Sequence, residues 1–557
     1  MIAKSKTKGR GKKESFMQGV LALMVSQVLI KILGLVYKLY LTNKQGFGDA
    51  GNAIYNAGFQ IYALLLTISS IGVPNAVSKL VSERLSVGDS KGAHRIFKIA
   101  FATFGVIGLA GTLFLLVGAK KIAGLMGIPE AEMTLVALSP SVFFVAIISV
   151  IRGFFNGRSK IKVTANSQSL EQLFKTVFTI LLVEIVAVFS GVNTTLMAAG
   201  ANLATTLATV ASFLYLLAYY KIHKKEKLEV DSNENISSGR SDYMKKTVMQ
   251  VVKAILLVSI PMSLSSILTS LNKNIDSFTV VNLLQNFLPY EEAKAQYGIL
   301  SGKVETLTSL PLSFNIAFAT ALVPAIAAAR AKGEMDKGVK RISFSLMTTI
   351  LIVLPCVVGM VIFAEPILKL LFPNASSGAF IMQICVLATI FTAMEQTING
   401  ALQGLGKVFV PAIALTIGVA VKLLLNVILV PIPTDEFPLG GAVGAAFATD
   451  MCHLIAFSIV FAVLRKTVDL KLSFSKMVLK PLIACLMMGI VSYGSYILFK
   501  GIFVQNLATI LALVVAVIVY ILSIFVLRIL NEEDIQMLPS GNKIYALLVK
   551  MGIYKQK

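Results

Sequence analysis

The sequence contains no tryptophan, and only 14% of its 557 residues are charged. Hydrophobic residues make up 56% of the chain, so the polar surface that a soluble protein of this length needs is missing. Apolar runs of about 20 residues recur along the chain, and a helix of that length crosses the roughly 30 Å hydrocarbon core of a bilayer. The composition therefore excludes a soluble globular protein and indicates a polytopic membrane protein.

Residue types that perform chemistry are also scarce. The three histidines, His94, His223 and His453, form no cluster in the sequence, and the four cysteines lie in apolar segments without CxxC spacing. Neither pattern indicates a metal site or a disulfide framework. No P-loop, HExxH or nucleophile-elbow motif occurs. We therefore expect no cofactor, no metal and no catalysis, and no ATP hydrolysis within the chain.

Fourteen apolar segments predict fourteen transmembrane helices and an all-α fold. Their approximate bounds are 16–41, 53–78, 96–118, 134–155, 164–189, 194–220, 248–272, 297–327, 342–364, 379–402, 408–431, 440–464, 477–499 and 505–530. We predict a basic tail at 1–15, an N-lobe at 16–220, a polar linker at 221–247, a C-lobe at 248–464, two further helices within 465–530, and a tail at 531–557.

A short motif is repeated in the two predicted lobes. The pattern I-x-G-x-x-[N/Q]-G-x-x-K occurs at 151–160 and again at 398–407, an offset of 247 residues. At the same offset Lys175 corresponds to Lys422, and each lies inside an apolar segment. Six predicted spans separate the copies, so both keep one orientation. Such parallel repeats, related by an axis along the membrane normal, are common in transporters.

Basic residues predict the orientation of the chain. Of the 51 Lys and Arg residues, 38 fall in the termini and in alternate loops that share one side of the membrane, whereas 6 fall on the opposite side. The positive-inside rule places the basic side and both termini in the cytoplasm. The net charge of +23 therefore reflects topology and contact with anionic membrane lipids, not binding of nucleic acid.

Ionisable residues inside the apolar segments are candidates for the functional site. Each costs about 3 kcal/mol at a helix centre on insertion scales, and such residues usually face a protein interior or a wet cavity. They are Lys31 and Lys38 in the first span, Lys175 in the fifth, Lys273 and Asp276 in the seventh, Lys303 and Glu305 in the eighth, Glu395 in the tenth, Lys422 in the eleventh, and Asp450 in the twelfth.

Each candidate also has a structural interpretation. Lys31 and Lys38 lie on one helix face, where they either line a cavity or extend their amines towards the membrane surface. Lys273 is spaced to pair with Asp276, so Lys273, Asp276, Lys303 and Glu305 are either site residues or a cluster of ion pairs at helix ends. Glu395 and Asp450 are either proton or cation sites or satisfied polar groups.

The two lysines related by the repeat are equally open to interpretation. Glu171 precedes Lys175 by four residues and could neutralise it. A shared structural role for Lys175 and Lys422 is as well supported as a role in binding substrate.

The sign of the charge favours one class of substrate. Lys31, Lys38, Lys273 and Lys303 come from helices that can face one central cleft of a two-lobed bundle. A cleft rich in ammonium groups attracts an anion such as phosphate or pyrophosphate and repels a cationic drug.

Several segments resemble a known transporter family. They are Ile32-Leu33-Gly34-Leu35-Val36-Tyr37, Gly46-x-Gly48, Tyr55, Ile61-Tyr62, the stretch Ile71-Gly72-Val73-Pro74-x-Ala76-Val77-Ser78-Lys79-Leu80-Val81, Leu322-Val323-Pro324, and Glu532-x-Asp534-x-x-x-Leu538-Pro539. Together they are similar to the stage V sporulation protein B / YtgP-like branch of the multidrug/oligosaccharidyl-lipid/polysaccharide exporters, which is related to the MurJ-type lipid II flippases.

The resemblance implies a fold and an activity. It implies fourteen helices, of which the last two form a groove for a long lipid tail, and basic substrate-binding positions at Lys31 and approximately at Lys303. The implied protein is a monomeric flippase of the bacterial plasma membrane, acting by alternating access on an undecaprenyl-pyrophosphate-linked precursor, with lipid II favoured. Membrane potential or a coupled ion, H⁺ or Na⁺, would drive it, and cell-wall synthesis proteins are expected partners.

Two other functions remain open. A cation-coupled multidrug exporter of the same superfamily would depend on acids such as Asp276, Glu395 and Asp450. A non-transporting scaffold for cell-wall or spore assembly would have no need of charges inside the membrane.

Overall fold

The computed structural model describes residues 16–70, 72–222, 247–470 and 473–531, together with positions 535, 545 and 549. These residues form helices and connecting loops, with no strand among them. Several predicted segments lie outside the described residues. They are the whole basic tail at 1–15, most of the linker, most of the C-terminal tail, and the motif at 532–539 except position 535. The prediction of an all-α membrane protein is confirmed.

Seven helices lie in the described part of the first half. They are α1 (Phe16–Asn43), α2 (Gly48–Ser70), α3 (Gly72–Ser86), α4 (Ser90–Leu125), α5 (Ala131–Gly157), α6 (Ile161–Ser190) and α7 (Thr194–Ile222). The second predicted span comprises α2 and α3. The Asp89 side chain begins α4 by accepting a hydrogen bond from the Gly92 amide at 2.7 Å, which satisfies one of the free donors of a helix start.

The described residues from 247 to 531 contain eleven further helices. They are α8 (Val248–Leu284), α9 (Tyr290–Gly298), α10 (Glu305–Ala331), α11 (Met335–Ile362), α12 (Ala364–Leu371), α13 (Ala379–Cys385), α14 (Ala388–Gly404), α15 (Val410–Leu429), α16 (Gly441–Thr467), α17 (Lys480–Lys500) and α18 (Gln505–Val526). The π-helical segments Ile299–Val304 and Ser475–Leu479 precede α10 and α17. A capping box between Thr247 and Gln250 begins α8.

Eleven helical stretches among the described residues are long and apolar enough to cross a membrane. The three other predicted spans fall on α1, on α8, and on α9 with α10. The count of fourteen therefore stays a prediction.

The two halves repeat the same pattern of helix packing. The pair α1 and α6 corresponds to α8 and α15, and the pair α6 and α7 corresponds to α15 and α16. Likewise, α5 packs against α2 and α3 as α14 packs against α10. Helices α17 and α18 pack mainly against each other and against α11. This pattern is what the sequence repeat predicts, although the exact lobe boundaries stay predictions.

The buried core differs between the two sides of the membrane. On the side with few basic residues, one apolar cluster combines residues of both halves, including Leu41, Tyr55, Val280 and Tyr297. On the basic side there are two clusters, one formed by α3, α4 and α5 and the other by α10, α14 and α16. Of the second half, only the start of α8 contributes to the first of these two clusters. The halves therefore share one core on the basic-poor side, whereas on the basic side their cores are separate except for the start of α8.

The glycines of the repeated motif allow close approach of helices. A Cβ atom on Gly153 in α5 would lie 2.7 Å from the carbonyl oxygen of Pro74 in α3. A Cβ atom on Gly400 in α14 would lie 2.4 Å from the carbonyl oxygen of Ala319 in α10. Both distances are shorter than a carbon–oxygen contact tolerates, so only glycine fits. Small residues at such contacts are typical of helix association in membranes.

We expect Gly153→Ala and Gly400→Ala each to lower stability by about 1–3 kcal/mol, because the added methyl group forces two backbones apart. The protein has no tryptophan, so a thiol-reactive fluorophore that reports exposure of its four cysteines on heating is a suitable measurement in detergent. Gly105→Ala in α4 is the control, since a Cβ atom there meets no atom within 4 Å. Equal midpoints for Gly153→Ala and Gly105→Ala would contradict the packing role.

Candidate functional site

Two adjoining cavities lie among the central helices. The larger, about 570 Å³, lies among α1, α2, α6, α8 and α10, and we call it the lysine cavity. Its charged lining residues are Lys31, Lys38, Lys175, Lys273 and Glu305. The smaller, about 240 Å³, extends towards α14, α15 and α16, and we call it the C-half cavity. Its ionisable lining residues include Lys31, Lys273, Asp276, Glu305, Lys422 and His453.

The wall between the cavities contains an ion pair. The Lys273 ammonium donates a hydrogen bond to the Glu305 carboxylate, and the Gln60 amide donates to its other oxygen at 3.3 Å. All three side chains line both cavities. Glu305 therefore connects α8 with α2 of the other half. Lys273 pairs with Glu305 and not with Asp276, which corrects the pairing that the i,i+3 spacing suggested.

Two lysines of the N-terminal half are buried beside aromatic rings. The Lys38 Nζ donates to the Asn56 Oδ1 at 2.7 Å and lies 4.5 Å from the centre of the Tyr55 ring. The Lys175 Nζ lies 4.1 Å from the centre of the Phe59 ring. Neither ammonium forms an ion pair with a carboxylate of the described chain. Ring faces and an amide compensate a buried charge only in part, so both lysines keep a strong attraction for an anion.

Lys31 completes the cationic side of the lysine cavity. Its side chain is exposed and lines both cavities. It has no carboxylate partner in the ranges that the structure describes. Glu171 is not the neutralising partner of Lys175, because its carboxylate binds the Arg152 guanidinium at 2.7 Å. This finding corrects the second local pairing.

The equivalent lysine of the second half is neutralised. The Lys422 Nζ forms an ion pair with Asp276 at 2.7 Å and donates to the backbone carbonyl of Asn272 at 2.9 Å. The Asn426 amide donates to the other Asp276 oxygen at 3.0 Å. Lys175 and Lys422 thus occupy corresponding helices, but only Lys422 has a counterion. The repeat is therefore symmetric in position and asymmetric in charge.

Lys303 lies outside both cavities, contrary to the expectation that it lines the cleft. Its side chain is fully buried. Its Nζ donates to Asp49 at 3.0 Å, to the Ala375 carbonyl at 2.6 Å and to the Ser377 carbonyl at 2.9 Å. All of its donors are used, so it joins α2 to the second half on the basic-poor side. Lys294 does the same nearby, through an ion pair with Glu130 at 2.8 Å.

The two acids of the tenth and twelfth spans have different surroundings. Glu395 accepts a hydrogen bond from the His453 Nδ1 at 2.9 Å, and both side chains are buried. Asp450 is also buried, and its Oδ1 has no hydrogen-bond partner among the described residues. His453 lines the C-half cavity, whereas the two acids do not. The contacts of His453 and Asp49 leave no signal in the sequence, because each side chain binds a partner on a different helix.

Basic side chains outnumber acidic ones in the lining of the lysine cavity. Its lining holds four ammonium groups and one carboxylate, a formal charge of +3. Low-dielectric walls focus the field of such a group, so the cavity concentrates anions. No cluster of three or more metal-binding side chains occurs among the described residues.

A multi-pass helical bundle with a charged cavity at the contact between its halves is the architecture of a membrane transporter. A family model described as "Polysaccharide biosynthesis protein" matches residues 16–330, more than half of the chain, and the MatE model matches residues 302–428. The chain therefore belongs to the polysaccharide biosynthesis protein family, within the multidrug/oligosaccharidyl-lipid/polysaccharide exporter superfamily. The predicted family is confirmed.

Curated relatives support this assignment. Stage V sporulation protein B of Bacillus subtilis (strain 168) is 26% identical over 539 residues, which cover 95% of this chain and 98% of that protein. The lipid II flippase MurJ of the same organism is 24% identical over 469 residues, which cover 81% of this chain and 82% of that protein. The second of these relatives is named as a flippase.

A solved structure shows the same fold. The inward closed conformation of a lipid II flippase MurJ aligns with a TM-score of 0.65 and 17% identity, and covers 90% of this chain and 98% of that one.

The buried pair of Lys303 and Asp49 gives a stability prediction. Lys303→Met leaves a carboxylate of low exposure without its counterion, which costs about 3–5 kcal/mol. The measurement is the thermal midpoint in detergent. Lys369→Met is the matched control, because its ion pair with Glu365 is exposed. We expect that control to unfold at the wild-type midpoint.

The double variant Lys303→Met/Asp49→Leu separates the pair from other effects. It removes both charges, so it should be more stable than Lys303→Met alone. A double variant that is less stable by the sum of both single changes would show that the two side chains are not coupled.

Proposed function

We propose that this protein is a flippase that moves an undecaprenyl-pyrophosphate-linked cell-wall precursor from the inner to the outer leaflet of the bacterial plasma membrane. Lipid II is the favoured cargo. The observation that carries the proposal is the lysine cavity, where Lys31, Lys38 and Lys175 have no carboxylate partner within the described chain. Three unpaired ammonium groups are what a pyrophosphate requires when it loses its hydration shell.

The chemistry of the cargo explains why the cavity is needed. Hydrocarbon prevents a charged headgroup from crossing the bilayer unaided, because nothing there replaces its hydration. The lysine cavity provides ammonium groups, and the polar residues Asn56, Gln60 and Thr67 provide further hydrogen bonds. The sugar and pyrophosphate would occupy this cavity while the prenyl tail remains in lipid.

Membrane potential can supply the energy. A negative interior favours outward movement of an anion by about 2.3 kcal/mol per charge for each 100 mV. The empty cavity, with its formal charge of +3, is favoured in the reverse direction. The potential therefore drives the return of the empty cavity, and it drives the outward step only where the negative charge of the cargo exceeds the positive charge of the cavity. No nucleotide is required.

The proposed orientation places both termini and the basic side in the cytoplasm. The shared core and the Lys303–Asp49 pair then lie on the outer side, where they hold the halves together. The separate cores lie on the inner side. This arrangement suits a state that receives cargo from the inner leaflet.

Helices α17 and α18 are the proposed support for the prenyl tail. Their surface carries large exposed apolar side chains, including Ile490 (73% exposed), Leu498 (69%) and Val526 (67%). They lie beyond the repeated packing pattern, so no helix of the first half has their role. The names of the relatives agree with a lipid-linked cargo.

The cation-coupled drug exporter is less well supported. It requires acids that line the space where a cationic drug would bind, but Asp276 is bound to Lys422, and Glu395 and Asp450 line neither cavity. The lining of the lysine cavity would repel a cationic drug. The scaffold alternative gives no reason for three buried or cavity-lining ammonium groups without counterions.

The two repeat-related lysines provide a matched test of the proposal. Lys175→Gln removes an ammonium group that is free to bind phosphate, a loss of roughly 1.5–3 kcal/mol in affinity for undecaprenyl pyrophosphate in nanodiscs. That loss corresponds to about a tenfold to hundredfold weaker Kd. Lys422→Gln instead leaves Asp276 buried without a counterion, so it should lower the thermal midpoint and weaken the Kd less than Lys175→Gln does.

The pair of variants can contradict the proposal. Equal affinities for Lys175→Gln and wild type would exclude Lys175 from the cargo site. Dye efflux that depends on Asp276, Glu395 and Asp450, with no lipid II phenotype from the lysines, would favour the exporter.

Lys31 gives a second test in living cells. Lys31→Ala should abolish rescue of cells depleted of their own lipid II flippase, with normal protein levels, because an exposed cavity lysine contributes little to folding. Lys31→Arg should retain part of the activity, since it preserves the charge. Full rescue by Lys31→Ala would remove Lys31 from the proposed site.

A further inference from the structure

We infer that Glu395 and His453 form a proton-binding site, and that its occupancy is coupled to binding of the anionic headgroup. The binding of the proton follows from the geometry alone, whereas its coupling to cargo rests on the proposed function. The proton would enter on the His453 Nε2 from water in the C-half cavity and leave from the same nitrogen. No other bond forms or breaks.

The hydrogen bonds of the His453 ring show which of its nitrogens can take a proton. The His453 Nδ1 lies 2.9 Å from a Glu395 oxygen, and its Nε2 lies 3.3 Å from the Asn272 Nδ2. In this arrangement Nδ1 donates to the carboxylate and Nε2 accepts from the amide, which describes a neutral ring. The carboxylate fixes the tautomer, and the nitrogen that faces the amide is the one that can take a proton.

The side-chain oxygen of Asn272 is available to accept a hydrogen bond from a protonated ring. This side chain is 3% exposed, and its Oδ1 has no hydrogen-bond partner among the described residues. A half-turn of the amide would bring Oδ1 to Nε2, where it accepts a hydrogen bond from a protonated ring. One asparagine therefore satisfies both protonation states. A histidine with a purely structural role would need only one of them.

The charged groups around Glu395 and His453 affect binding of a proton by the ring. Other ionisable side chains line the C-half cavity together with His453: Lys31 from α1, Lys273 and Asp276 from α8, Tyr297 from α9, Glu305 from α10, Cys385 from α13, and Lys422 from α15. Asp450 and Cys452 lie on the helix that carries His453, and Cys356 lies on α11, which packs against the helix of Glu395. Lys273 pairs with Glu305, and Lys422 pairs with Asp276. These two pairs contribute no net charge, whereas Lys31 adds one positive charge to the cavity lining.

The charge balance favours a proton on the ring. With a neutral ring, Glu395 is a buried carboxylate without a cation, and Asp450 adds no positive charge. Protonation of His453 converts the arrangement into a neutral ion pair, which removes the cost of a buried uncompensated charge. Water reaches the ring because His453 lines the C-half cavity, while Glu395 lies behind it.

The two cavities couple the proton to the cargo. They share Lys31 and Lys273 in their lining. A proton on His453 adds a positive charge to the wall of the space next to the proposed headgroup site, so an anion binds more tightly. Reciprocity then requires that a bound anion favours the protonated ring. The proton is thus the ion to which binding of the cargo is coupled.

The chain has three histidines, which makes the proton directly observable. His94→Gln/His223→Gln leaves His453 as the single histidine, and labelling with ¹⁵N-histidine reports its protonation by NMR in nanodiscs. We expect the ring to change from neutral to protonated between pH 9 and pH 5. Glu395→Gln should reduce the protonated fraction at pH 6.5 by about fivefold or more, and Asn272→Leu should reduce it as well.

Binding measurements test the coupling. The Kd of undecaprenyl pyrophosphate is compared between wild type and His453→Gln at pH 8 and pH 5.5, so that titration of the ligand itself cancels. The ratio of the two Kd values should change by about fivefold. His94→Gln is the control and should follow wild type at both pH values.

The outcomes separate this inference from the proposed function. A ring that stays in one protonation state from pH 5 to pH 9, or that ignores Glu395→Gln, would overturn the proton site even if pyrophosphate binds. An unchanged Kd ratio would overturn the coupling. A ring that titrates as expected in a protein that binds no pyrophosphate would refute the flippase and leave the proton site standing.

Discussion

The cost of placing charge in hydrocarbon determines how this structure is arranged. An ionisable group in a transmembrane helix needs a partner, a wet cavity or both. Lys303, Lys422 and Lys273 each have a carboxylate partner. Lys38 and Lys175 have instead an amide and aromatic rings, beside a cavity of about 570 Å³. At the candidate site, Lys38 and Lys175 therefore lack the carboxylate partner that the other lysines have, and an anionic ligand would supply the missing negative charge.

The duplication explains why lysines without a carboxylate partner occur in the first half of the chain and not at the equivalent position of the second half. Both copies keep the glycine contacts that fix the helix pairs, and both keep a lysine at the position of Lys175 and Lys422. In the second half Asp276 from α8 neutralises that lysine. In the first half, Lys31 and Lys38 on α1, the corresponding helix, add positive charge. One scaffold thus holds a balanced half and an unbalanced half.

The sequence predicts the helices, the repeat and the charged positions, but not the partners. Hydrophobic length and motif spacing are properties of a single segment, so they can be read along the chain. Local spacing suggested Lys273 with Asp276 and Glu171 with Lys175, and the structure shows neither pair. The true partners are remote: Lys422 and Asp276 are 146 residues apart, and Lys303 and Asp49 are 254 apart. Helix packing determines whether a lysine pairs with a local or a distant carboxylate, and the spacing of residues along one segment does not reveal that packing.

The same pairs constrain any conformational change. Exposing the central cavities on the basic-poor side requires the halves to separate there, which breaks the contacts of Lys303 with Asp49 and of Lys294 with Glu130. Breaking a buried pair is costly unless water enters at the same moment. Opening of that side is therefore favourable only when its loops hydrate the released charges, while the cores on the basic side come together. In the proposed alternating-access cycle, opening of one side is thus linked to closure of the other.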